Sequence, residues 1–168
     1  AKLSLKNNSG IHPSYASDNN LSKINKEISR LEEVINKKVT KSRQHFLRIK
    51  FPLTYEILIQ SGIDEDYTMG YSDVVGFRAG ICSPFFFFNL KENKKTTLKI
   101  IPFQVMDGAI KEQLNDPQLS KDLSEMIDKI KQVGGTFISV VHNQSFSDKE
   151  GWKGFKNTFE EIIRKAVN

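Results

Sequence analysis

"LSKINKEISRLEEVINKKVTKSRQHFLRIKFPLTYEILIQSG", residues 21–62, reads in three parts. Leu21, Ile24, Ile28, Leu31 and Ile35 recur three and four apart, the period of a helix with one apolar face. "VTKSRQHF" then runs extended, and "FPLTYEILIQSG" reads as a second helix, with Pro52 near its first turn and Gly62 as its stop. Helix, strand, helix is the unit of an α/β fold.

The same alternation continues towards the C-terminus. "TTLKIIPFQV" reads as a strand with Pro102 near its end, and "DGAIKEQL" as a short helix capped by Asp107. Leu119, Leu123, Met126, Ile127, Ile130 and Val133 mark a longer helix closed by Gly134 and Gly135. "TFISVVH" reads as a buried strand ending at His142, and a last helix places Trp152, Phe155, Phe159, Ile162, Ile163 and Ala166 on one face. Between these parts, residues 62–90 carry Gly62, Gly70, Gly76 and Gly80 and no helical period, so loops with short strands near 75–78 and 85–90 are expected. "SPFFFFNL" contains Phe85 to Phe88, too short a run to cross a bilayer, and reads as a buried strand.

The chain of 168 residues is treated as a single domain over 1–168, long enough for a sizeable core. Its net charge of +5 is spread among acidic residues rather than gathered on one face, which argues against a nucleic-acid partner. No transmembrane or signal segment is visible. The single cysteine, Cys82, beside a phenylalanine run, reads as a buried inert thiol.

Chemistry points to the histidines. His12, His45 and His142 all fall in polar or glycine-flanked positions, where an α/β fold gathers functional loops at strand ends. Arg43 and His45 stand two apart and would face one side of an extended segment. No HExxH, CxxC or GxSxG element is present, and no phosphate-cradling glycine loop. Arg78 in "GFRAG" suits close approach of a ligand or a structural ion pair, and for Asp107 the helix cap competes equally with any functional role.

Taken in order, "GIHPSYAS", "SRQHFLR", "GIDEDYTMGYSDVVGFRAG" and "ISVVHN" resemble the NodB-type polysaccharide deacetylases. The chain looks closest to a divergent group found largely in Bacteroidetes, in which the catalytic domain follows an unrelated N-terminal region. The resemblance implies an irregular (β/α) barrel and a divalent metal, often zinc, held by an aspartate and two histidines. It also implies a second aspartate as general base and a late histidine as general acid. A metal-bound water of lowered pKa then attacks an acetyl group on a polysaccharide or glycan.

Residue by residue, the family's first histidine falls on His12 and its second on Ala16, which cannot bind metal. His45, standing where the family has proline, is the expected replacement ligand. Arg43 is the arginine that orients the base, Asp64 and Asp66 are its acidic support, and His142 is the general acid. Tyr15, Tyr67 and Arg78 are candidates for substrate binding, and Trp152 is expected in the core rather than against sugar. The family's Asp-Asp motif has no counterpart before His12. The expectation is therefore that this motif, with the first barrel strand, lies on a preceding segment of the same protein, and that the chain alone is an incomplete folding unit. The rival expectation is a catalytically inactive barrel that binds carbohydrate or serves in assembly.

Overall fold

The computed structural model describes residues 9–114, 116–147, 149 and 151–167. They form a mixed α/β fold of two compact units, one made of residues up to Met69 together with Pro84–Ile101, the other of Gly70–Ser83 and the chain from Pro102 onward.

The first unit is built on helix α1 (Leu21–Ile35), strand β1 (Lys41–Ser42), helix α2 (Leu53–Gln60) and strands β2 (Glu65–Asp66), β3 (Phe85–Asn89) and β4 (Lys94–Ile100). Asn20 caps α1 by accepting the Lys23 N–H at 3.0 Å, and Asn36 ends it in the left-handed region at φ 48°. The helix buries Ile24, Ile28 and Ile35, as its periodicity requires. The four strands order as β1-β2-β4-β3, parallel except for the antiparallel β3–β4 hairpin, and Ile11 adds a parallel bridge to Ser42. The core behind this sheet gathers Tyr55, Leu58, Ile63, Leu98 and Ile100.

Two expectations for this unit need correction. The phenylalanine run is a strand, but Phe86 and Phe88 are exposed while Phe87 is buried. β3 is the edge of the sheet, and its period of two turns every second ring outward. "TTLKIIPFQV" is not one strand: β4 stops at Ile100, just before Pro102, which has no N–H to continue the ladder.

The second unit holds β5 (Val105–Met106), α3 (Asp107–Lys111), α4 (Pro117–Gln132), β6 (Ser139–Val140) and α5 (Phe155–Val167). β5 and β6 pair in parallel. Asp116 caps α4 through the Gln118 N–H at 2.8 Å, with Pro117 at the first helical position. Leu119, Leu123, Ile127 and Ile130 of α4 pack with Val105, Ile110, Trp152, Phe155 and Ile162. Trp152 is thus a core residue, as expected, and Cys82 is buried in the same cluster.

Residues 75–78 are loop, not strand: Gly76 takes φ 149°, which side-chain-bearing residues rarely adopt, and donates its N–H to the Gln104 carbonyl at 2.9 Å. Asp107 is the first residue of α3 rather than its cap, a position occupied by Met106. Among the described residues no helix is long and apolar enough to cross a membrane. The described strands do not by themselves close into a barrel.

Candidate functional site

In the first unit the loop before α1 and the segment after β1 bring the histidines together. The strand stops at Ser42, although Gln44 is still extended. From His45 to Leu47 the chain tightens into a 3-10 turn in which Phe46 and Leu47 both take φ 52°. Non-glycine residues pay about 1–2 kcal/mol in this left-handed region. Two in succession mark a backbone held against its own preference, a feature concentrated at functional sites.

The result is that His45 stacks on His12, ring centroids 4.9 Å apart and planes inclined by 28°. His12 Nδ1 donates to the Arg43 carbonyl at 2.7 Å, which leaves Nε2 with the lone pair. A backbone carbonyl on one ring nitrogen is the usual support of an imidazole that binds metal through the other. The convergence of Arg43 and His45 therefore comes through the His12 ring, and not from a shared strand face.

Arg43 turns inward. Its Nε donates to the Tyr67 carbonyl at 3.2 Å, and burial pushes its guanidinium below the ordinary arginine value, opposed by the nearby Asp66 carboxylate. Asp66 itself is fully buried. It accepts from Ser42 Oγ at 2.6 Å, Thr68 Oγ1 at 2.8 Å and the Thr68 N–H at 3.1 Å. Burial raises its pKa despite these three bonds. Asp64 is exposed and is tied to the sheet by its backbone, so Asp66 is the acidic residue beside Arg43.

Tyr67 donates its hydroxyl to Glu65 at 2.8 Å, and Lys41 pairs with the same Glu65 at 2.9 Å. The lysine pulls the Glu65 carboxyl down, whereas burial and Glu65 push the Tyr67 phenol up. Tyr15 is exposed, its hydroxyl accepting from Arg48 Nη1 at 2.8 Å.

In the second unit His142 follows β6, at the strand end where the sequence predicts a functional residue. Its Nδ1 lies 2.9 and 3.0 Å from the two carboxylate oxygens of Asp107, and its backbone N–H donates to Oδ2 at 2.7 Å. Asp107 is buried and also accepts from the Ser145 hydroxyl and the Gly108 N–H. A buried carboxylate with this many donors is fixed in place. It holds the imidazole with Nδ1 as the donor, leaving Nε2 as the nitrogen able to exchange a proton. His142 is half-exposed, so a bound molecule can reach it.

Sequence reasoning underrated Asp107, whose partner lies 35 residues away, and passed over Ser145. The available signal was an aspartate directly after one short strand and a histidine two residues after the next. Arg78 donates to the Gly70 carbonyl at 3.1 Å.

Among the described residues no group of three or more His, Cys, Asp and Glu side chains is arranged to hold a metal ion. The stacked His12 and His45 supply two imidazoles, fewer than the three protein ligands of a catalytic zinc site. No protein-family model and no curated protein matches the chain.

Proposed function

We propose that the protein is a metal-dependent hydrolase that removes acetyl groups from a polysaccharide or glycan, on the irregular (β/α) barrel implied by its resemblance to the NodB-type deacetylases. The observation that carries this reading is His142 clamped through Nδ1 by the buried Asp107. That is the construction of a side chain meant to move a proton at Nε2.

In this mechanism the protonated Nε2 of His142 gives its proton to the leaving amine or sugar oxygen as the bond to the acetyl carbon breaks. Water adds to that carbon, and acetate departs. Asp107 keeps the ring aimed throughout. By the resemblance, His12 and His45 would be ligands of the divalent metal, zinc suiting imidazole ligation, and Arg43 would orient the carboxylate general base. When bound, the ion lowers the pKa of a water and polarises the acetyl carbonyl.

Acetate release from acetylated glucosamine and galactosamine tetrasaccharides, in the presence of zinc, tests the proposal. His142→Ala should reduce release by about a hundredfold or more. Equal rates for the variant and the original protein would refute it.

A further inference from the structure

We propose that the outer face of the β3–β4 hairpin docks onto an anionic lipid surface, its apolar side chains entering the headgroup layer while its lysines meet the lipid charges. The proposal stands apart from the hydrolase reading and uses none of its residues.

From residue 86 to residue 90 burial alternates. Phe86, Phe88 and Leu90 point outward, and Phe87 and Asn89 point inward. Across the ladder Phe86 stands opposite Lys99 and Phe88 opposite Lys95, so each exposed ring has a lysine beside it on the same face. Lys95 Nζ lies 4.1 Å from the centroid of the Phe86 ring. Lys91 in the turn and Lys94 just after it add two more cations.

β3 is the edge of its sheet. Native edges are protected from unwanted pairing by charge, and lysines alone would serve that purpose. Two phenylalanines and a leucine on the same hairpin work against it, so their exposure has another cause. Leu90 is 85% exposed, and the turn that carries it is fixed from behind. Asn89 accepts from the Lys91 and Glu92 N–H groups at 3.0 and 3.2 Å and donates to Glu56 Oε1 at 2.9 Å. The apolar tip is presented without rearrangement.

Charge identifies the partner. Residues 86–99 carry Lys91, Lys94, Lys95 and Lys99 against Glu92 alone. Among the described residues none of these four lysines lies within ion-pair distance of a carboxylate. Lys41 and Glu65, next along the sheet, neutralise each other at 2.9 Å. Unpaired lysines around exposed apolar groups complement anionic headgroups lying over acyl chains, since electrostatic attraction and apolar burial then add. A nucleic acid fits less well. Lys95 covers a face of the Phe86 ring, and Leu90 offers no π-face to a base.

The test is sedimentation of the protein with vesicles of phosphatidylcholine and with vesicles of equal parts phosphatidylcholine and phosphatidylserine. Binding to the mixed vesicles should be about tenfold stronger or more, and added salt should weaken it. Phe88→Thr combined with Leu90→Asn, and separately Lys95→Gln combined with Lys99→Gln, should each lower that affinity about tenfold or more. Phe88→Trp supplies a reading that needs no loss of binding. Its fluorescence should move to the blue on the mixed vesicles, over the constant signal of the buried Trp152. No sedimentation with either vesicle, equal sedimentation with both, full binding by Phe88→Thr with Leu90→Asn, or an unmoved Phe88→Trp signal overturns the proposal. Binding of single-stranded oligodeoxythymidine without binding of vesicles also overturns it and assigns the face to a nucleic acid.

Discussion

The imidazole of His142 and the carboxylate of Asp107 meet through both oxygens of the acid, at 2.9 and 3.0 Å, while the histidine's own backbone N–H adds a third bond at 2.7 Å. Ring and main chain are held by the same group. Asp107→Asn replaces one acceptor oxygen with an NH2 donor, so the ring is no longer held with Nδ1 as its donor. Turnover on the acetylated tetrasaccharides should fall by roughly a hundredfold or more. Unchanged turnover would return Asp107 to a structural role.

His12 and His45 share one ring stack, and as ligands they should fail together. His12→Ala and His45→Ala should each lose zinc on dialysis, because removing one of a few protein ligands leaves too little to compete with water. Metal per chain, measured by elemental analysis, decides the point. A fully loaded His45→Ala protein would assign His45 to ring packing against His12 and Phe46 alone.

Asp66 predicts a pH dependence of stability. Its folded pKa is raised by burial, so between the ordinary aspartate value, about 4, and the raised one the folded chain retains a proton that the unfolded chain has released. The contribution of Asp66 to stability is fully present below that ordinary value and is lost as pH rises through the folded pKa. In urea unfolding across this range, Asp66→Asn should lack the decline seen in the original protein. Parallel curves for the two proteins would contradict the assignment.

Gly70 and Gly62 separate two reasons for glycine. At Gly70 the ring of the buried Phe103 occupies the place of a Cβ, so Gly70→Ala should cost about 1–3 kcal/mol through overpacking. Phe103→Leu in the same chain should recover part of that loss. At Gly62 nothing crowds the position, but φ is 75°, and Gly62→Ala should cost about 1 kcal/mol from the backbone alone, with no relief from Phe103→Leu. Urea midpoints of the four variants check both statements.

The helices were legible in the sequence because their signals are local. Asn20 and Asp116 cap them, and Ile24, Ile28, Leu119, Leu123 and Ile127 repeat at helical spacing. The strands were legible only as positions. β1, β5 and β6 are two residues long, too short to show a period, so their lengths were overread, and the equally short β2 was missed. Phe86 and Phe88 misled because an edge strand and a central strand can share the same composition. At the candidate site, His12, His45, Arg43 and His142 were singled out by residue type and setting. The left-handed turn at Phe46 and Leu47 was not visible, since neither residue type announces such a backbone. Asp107 was seen as a possible helix cap because its tie to His142 spans distant parts of the chain.

The Ser42–Asp66 hydrogen bond has a further consequence, for alignment rather than charge. β1 and β2 face each other as Lys41 with Glu65 and Ser42 with Asp66. Longer strands are kept in step by alternating apolar and polar residues, and two-residue strands have no such ruler. Here the side chains supply it. A slip by one residue would move the half-buried Lys41–Glu65 pair toward the interior and strand the buried Asp66 carboxylate away from the Ser42 hydroxyl, 2.6 Å from it in the native pairing. The misaligned pairing is disfavoured on both counts, and Arg43, the next residue along, is thereby delivered to the height of the Tyr67 carbonyl.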